Sequence, residues 1–578
     1  MKHLPPFLWR FTLLYWLTTL PFAADTHDHL HSKKCGTVQL FLSQSQGHAQ
    51  HLPDISIVSS NEKKAANQTT PIATRMYQSE HFVFYYSLES THVPVLVEGE
   101  SSLPTQADSI QTANGSSLQE AYDVMDQNTF PHPQYILKNA EYFEKAWDHY
   151  IDTLNMRVPS LTTDSRFFKR TAVPGKYPVE IGHIAALEPS LSNYEIYGIA
   201  YSPGIGGGGI LMDNDFRWGL PPRDLITRYT GVVPNIVNNY YIDWDKALQV
   251  TAAHEFYHAV QYAYTPVINS FHYWYELSAT GMEERLAPDV NDYLQYLPAL
   301  FETHSTYSLN NLSASSIQTY GRGIFHQFLT QEIGKDFDVE VWDNLSTGQS
   351  IDSALENMLS NNNRNIRDIY AKYTQPLPFT QPTSSLLPGY SPDHSLWPRI
   401  TPIFLQGNMT QFSLPPLTYE AIDLSSAPSA RVLVFDPTES EGVTLTVVYA
   451  DSVHTHILSR NESFLVPLSS QPSTLILSNG SWGQSANIIL SLSNVEAYPN
   501  PVLSNTPRIQ FSEFVLDTMS SFSGDLHILN EQGTIVHSTT LSEQQNTWDL
   551  RDDTSNRVPS GVYYYTVTGQ SAKVLYVQ

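Results

Sequence analysis

Apolar and polar residues change rhythm several times along this chain. HFVFYYSL (81–88), YPVEIGHIA (177–185), YEIYGIAY (194–201) and GGILMDND (208–215) are short, mostly apolar runs that predict strands. The segment from Tyr135 to Leu154 instead repeats its apolar residues at helical spacing and predicts an amphipathic helix. Another helix carries TAAHEFYHAVQYAY (251–264) and starts near Asp243 or Asp245, either of which can cap it. A helical block follows over 272–374, with WYELSATGMEERL, NDYLQYLPALFETH, YGRGIFHQFLTQEIG, SIDSALENML and NIRDIYAKYT. Past a Pro/Ser-rich stretch no helical pattern remains: ARVLVFDP, VTLTVVYA, SFLVPL, STLILS and NIILSLS alternate or run apolar between turn residues, and so does the unit beginning at AYPNP. The expected fold class is multidomain: an α+β unit at 76–376, a linker at 377–400, and two all-β sandwich modules at 401–495 and 496–578.

The N-terminus changes the picture of where the protein works. Lys2 and Arg10 flank an apolar run from Phe11 to Phe22 that ends at Ala23 and Ala24, the layout of a secretory signal peptide over residues 1–24. Residues 25–75 are polar and read as an N-terminal extension or propeptide, and the Ser/Gln/Asn-rich stretch 97–133 reads as an inserted loop. No later segment offers about 18 consecutive apolar residues, so no transmembrane segment is expected in the mature chain. The formal charge of −26, with no Lys/Arg cluster, argues against nucleic acid as a partner. The single cysteine, Cys35, rules out an internal disulfide framework.

Candidate chemistry lies in the helix at 251–264. Residues four apart differ by roughly 40° around a helix and lie about 6 Å apart along it, so His254 and His258 can ligate one ion. Glu255, roughly 100° round the helix, cannot join them but can reach a water held there. A catalytic zinc of the His₂Glu type needs a third protein ligand and an open position. Glu276, eighteen residues after His258 in WYELSATGMEERL, is the candidate, with Glu283 and Glu284 as competitors about two turns further on.

HEFYH followed by this glutamate resembles the gluzincin clan of zinc peptidases, which includes thermolysin-like enzymes and aminopeptidases of the aminopeptidase-N type. Their third ligand often stands in N-E-G-x-A-x-Y-x-E. Here the run is Y-E-L-S-A-T-G-M-E, with Ala279 and Glu283 matching and Leu277 in place of glycine. More broadly, the chain from HFVFYY to its β-rich tail resembles a poorly characterised family of secreted bacterial metalloproteases. The resemblance implies a gluzincin-like peptidase domain at 76–376 with Zn2+ on His254, His258 and Glu276. In the reaction it implies, zinc supplies acidity to a water and to the scissile carbonyl. Glu255 takes the water's proton and later delivers it to the leaving amine. TYGRGIFHQFL resembles the Y-x-[KR]-G element of the aminopeptidase-type enzymes, which implies that Tyr320, followed by Arg322 and Gly323, stabilises the oxyanion. His326 is a second candidate for that role.

GGILMDND is similar to the G-x-M-E-N strand that binds a free amine, with Asp213 where glutamate is expected and the glycine one residue too far away. An endopeptidase acting on protein or peptide substrates is therefore expected, with an aminopeptidase as the variant. A different class, a catalytically inactive surface adhesin or binding protein on a peptidase fold, is the alternative. Cys35, in KKCGT, reads either as an ordinary free thiol or as a thiolate that can cap the zinc until the extension is removed.

The last module reads YPNP, then WDLRD, then SGVYYY, with Lys573 late in the chain. This set resembles a type IX secretion sorting domain. It implies a Gram-negative bacterium, the type IX machinery as a partner, and a secreted or cell-surface protein.

Overall fold

The computed structural model describes residues 74–103, 126–216, 243–265, 272–310, 318–379 and 391–424 with short gaps, and beyond them chiefly the strands and the turns between them. The signal segment, the extension with Cys35 and residues 104–125 of the insert lie outside the described residues.

Every residue of Phe82–Ser87 is buried, which an antiparallel edge strand cannot achieve. This strand, β2, lies inside a five-stranded sheet with β1 (Thr74–Gln78), β3 (Tyr177–Ile181), β4 (Gly198–Tyr201) and β5 (Gly209–Met212) in the order β1-β2-β3-β5-β4. β2, β3 and β5 run parallel, and β1 and β4 close the edges antiparallel. Parallel strands need cover on both faces. On one face Phe82 and Phe84 meet Phe143 of α1 (Gln134–Trp147). On the other, Val83 and Tyr85 pack with Phe168. The loop around Phe168 is held by Glu180 of β3, whose carboxylate accepts the backbone N–H groups of Arg166, Phe167 and Phe168.

The motif helix, α2 (Trp244–Tyr264), is buried at every position from Val250 to Tyr262. It has no solvent face over that length, because α1 and the sheet lie on one side and α3 (His272–Leu286) on another. Phe256 wedges it against the sheet, its ring 4.9 Å from Phe82 and 5.7 Å from Trp147. Asp243 occupies the N-cap position without a side-chain cap bond, and Asp245 in the first turn accepts from the Tyr142 hydroxyl at 2.7 Å.

The helical block continues through α4 (Leu297–Glu302), α5 (Gln318–Gly321), α6 (Gly323–Glu332), α7 (Phe337–Ser346), α8 (Ile351–Asn361) and α9 (Ile366–Thr374). Ser350 and Asn365 cap α8 and α9 through their side chains. The stretch expected as a linker is packed at its C-terminal end. Trp397 is buried there, and its indole N–H donates to the Tyr293 hydroxyl at 3.0 Å. An indole needs such a partner once it leaves water.

After residue 402 only strands are described. Five of them form a sheet in the order β11-β10-β13-β8-β6: β6 (Ile403–Phe404), β8 (Thr418–Asp423), β10 (Val443–Val448), β11 (Val453–Ile457) and β13 (Thr474–Asn479). Four more, β7 (Met409–Leu414), β9 (Val432–Phe435), β12 (Ser463–Val466) and β14 (Ala486–Leu492), form a second sheet. Leu414 and Ile488 of the second sheet share an apolar cluster with Ile422, Leu445 and Leu477 of the first. In the last module β16 (Gly524–Leu529) and β17 (Ile535–Leu541) pair antiparallel across the turn at 530–533, and β19 (Gly561–Val567) pairs with β20 (Lys573–Val577). The chain is multidomain, with a mixed α/β region followed by separate, largely antiparallel β sheets.

Phe256 anchors the motif helix to the sheet from a position the HExxH spacing leaves free. Phe256→Ala should lower unfolding stability by about 3–5 kcal/mol, read from chemical denaturation curves.

Candidate metal centre

One turn of α2 and the first turns of α3 bring three donor groups together. The His254 and His258 Nε2 atoms are 3.0 Å apart. Glu276 places Oε2 3.2 Å from the first and Oε1 3.6 Å from the second. All three side chains are fully buried, and they make a cluster capable of holding a metal ion. Ligand atoms bound to zinc at 2.0–2.1 Å in tetrahedral directions sit about 3.3 Å apart, so these separations suit such an ion. Zinc is only one divalent ion that this donor set would accept.

The far side of each ring fixes which nitrogen faces the centre. His254 Nδ1 lies 2.7 Å from Glu283 Oε1, and a carboxylate only accepts, so Nδ1 carries hydrogen. His258 Nδ1 lies 2.7 Å from Gln261 Oε1. The Gln261 amide nitrogen donates to the Tyr275 carbonyl and to Ser278 Oγ, which leaves its oxygen toward His258. Both Nε2 atoms therefore direct lone pairs at the Glu276 carboxylate. Three lone pairs converging in a fully buried cluster need a cation between them.

In the metal-free protein a proton fills that need. Burial opposes charge on His254, but the hydrogen bonds and charges of Glu276 and Glu283 outweigh it and raise its pKa to about 10. Burial likewise works against charge on Glu276, but the adjacent His258 and His254 hold its carboxyl down, at about 2. A divalent ion would displace the proton from His254.

Glu255 is also fully buried, one residue round the helix. It lies under the edge strand: a Cβ on Gly198 would come 2.6 Å from Glu255 Cγ, so β4 can approach only because residue 198 is glycine. The Tyr320 ring is 6.3 Å from His254 and 5.0 Å from Tyr296, which brings the predicted oxyanion residue beside the cluster. Arg322 points elsewhere. Its pKa is lowered by burial to about 10, with Tyr273, Tyr370 and Tyr373 around it.

His326 does not join the centre. Its Nε2 is 3.3 Å from Asp338, which also bonds the Tyr257 hydroxyl, and the Trp342 indole donates to that same hydroxyl at 2.9 Å. Burial drives His326 well below and Asp338 well above their ordinary values, so this group is neutral and clamps α2 to α6 and α7. Asp213 is a turn carboxylate at the end of β5. It accepts the backbone N–H of Phe216 at 2.7 Å, and burial with Asp215 nearby raises its pKa to about 7.

Glu283 is the functional side chain that the sequence left undecided. The available signal was its spacing from Glu276: seven residues, two turns on one helix face.

Comparison with known proteins identifies the tail. Residues 496–576 match the family Secretion system C-terminal sorting domain. The sorting domain carries the address for type IX secretion, so the chain interacts with that machinery and is exported to the surface or beyond. Among the described residues no helix is long and apolar enough to cross a membrane. No curated protein matches the chain. Among solved structures, PorZ of the type-IX secretion system of Porphyromonas gingivalis is 20% identical over 18% of this chain, which spans 15% of PorZ, with a TM-score of 0.12. The adhesin domain of Epf from Streptococcus pyogenes is 11% identical over 30% of this chain and 78% of its own, with a TM-score of 0.11. Scores this low carry no argument about fold or function.

Two outcomes follow from the hydrogen-bond pattern. Glu283→Gln, which loses the charge behind His254, should weaken zinc binding about 10- to 100-fold in a chelator competition assay. Zinc uptake near neutral pH should release about one proton per site, measured by titration calorimetry in buffers of different ionisation enthalpy.

Proposed function

We propose that this protein is an exported, zinc-dependent peptidase of gluzincin type, with an endopeptidase the better reading than an aminopeptidase. The observation that supports it is the convergence of two imidazole lone pairs and one carboxylate beside a glutamate that is not itself a ligand. A bound zinc ion would supply Lewis acidity to a water and to the scissile carbonyl. Glu255 acts as general base, accepting the water's proton and returning it to the leaving amine. Glu276 and the two rings hold the ion, Glu283 and Gln261 orient the rings, and the Tyr320 hydroxyl donates to the developing oxyanion. The position of Asp213 speaks against an amine-binding role, because its oxygens already serve backbone N–H groups. The same reading takes residues 1–24 as a Sec signal peptide of a Gram-negative bacterium. It takes residues 76–376 as the peptidase domain, and the modules at 401–495 and 496–578 as β-sandwiches.

One observation favours a second reading. The three proposed ligand residues and Glu255 are all fully buried, as the ligands of a structural ion are. An ion in such a place would staple α2 to α3 in a catalytically silent surface protein.

Glu255→Gln separates the two. On the first reading the variant keeps its zinc, measured by metal analysis, and loses at least about 100-fold of a chelator-sensitive casein-cleaving activity. Wild-type protein that is fully zinc-loaded and cleaves nothing would support the second.

A further inference from the structure

We infer that the first β module is not a separable domain but part of the folding unit that carries the metal-ligand helices. Along β8, β10 and β13 the five-stranded sheet of this module is buried on both faces. Along β8 and β13, Ile422, Leu475 and Leu477 face the second sheet, while Tyr419, Ala421 and Ile476 face the opposite way. An antiparallel sheet in a free-standing module presents polar residues on its outer face. Here that face belongs to the same continuous core as Phe256 and the central sheet of the α/β region, and α9 covers it.

The contact is close and hydrogen-bonded. A Cβ on Gly480 would sit 2.5 Å from Arg367 Cα, so the turn after β13 meets the backbone of α9 directly. Leu417, in the turn between β7 and β8, has a left-handed backbone (φ 47°) that leucine rarely adopts. Its carbonyl accepts both the Leu309 N–H at 3.1 Å and the Tyr370 hydroxyl at 2.6 Å. The Trp482 indole donates to Glu356 of α8 at 2.9 Å, and its carbonyl accepts from Asn310 at 2.9 Å. Separating the module would uncover a buried sheet face that carries Tyr419, Ala421, Val448 and Ile476, and would leave the Tyr370 hydroxyl without its partner. Among the described residues the sorting domain shares neither apolar cluster. A cut that removes the sorting domain therefore leaves the unit whole, whereas a cut that removes the first module as well does not.

The test uses hydrogen exchange followed by mass spectrometry on the full chain, with a chelator present so that neither metal nor activity enters. Leu445 lies in β10 and faces the second sheet, away from the helices. In Leu445→Ala, a single unit predicts that protection falls at least about 30-fold in β13 and β14 and by the same factor in α2 and α3. Peptides of the sorting domain should stay at wild-type protection. If the loss stops within 403–492 while α2 and α3 exchange as in wild type, the inference is overturned. Should Leu445→Ala fail to accumulate folded, Ile422→Val gives the same comparison at about 2- to 12-fold.

Discussion

The structure turns on two imidazole rings held with their lone pairs toward one buried carboxylate. That arrangement is costly on its own, since nothing in an apolar interior neutralises it except a proton or a metal ion. It persists because each ring is fixed from behind: His254 by Glu283, which shares a helix with Glu276, and His258 by Gln261, whose amide is pinned by Ser278 and a backbone carbonyl. The charge is arranged unevenly. A full carboxylate backs one ring and a neutral amide the other, so proton or metal affinity is concentrated at His254.

The surrounding packing serves this geometry. Helix α2 is pressed on the sheet by Phe256 and clamped toward α6 and α7 by the neutral Tyr257–Asp338–His326 group. Glycine appears where backbones must come close: Gly198 lets the edge strand lie on Glu255, and Gly281 lets His326 lie against α3. These close approaches fix the orientation of α2 relative to its neighbours. Among the described residues α2 and α3 are thus deeply buried, and access from solvent is the feature on which catalysis and structural metal binding differ.

Much of this was legible in advance. The mostly apolar run HFVFYYSL predicts a strand, and i, i+4 histidines predict ligands on one helix face, because these patterns follow from backbone geometry alone. The β-rich character of the tail and its sorting motifs are also local properties of sequence. Other features were not legible. Glu283 and Glu284 are adjacent and chemically identical; spacing puts Glu283 on the Glu276 face of the helix, but only the packing of α3 against α2 shows that it meets His254 Nδ1. The stretch before residue 400 looks like a linker by composition, yet Trp397 is drawn into the core because Tyr293 is there to accept from it.

Sequence by itself determined the elements, the pair of histidines, the candidate glutamate and the export address, since each rests on spacing or composition within a short segment. Tertiary structure alone decided that Glu276 closes on both rings and that Tyr320 stands beside them while Arg322 and His326 turn away. It also decided that the first β module shares its core with the ligand helices. Those outcomes depend on distances between segments tens to hundreds of residues apart, which no local periodicity encodes.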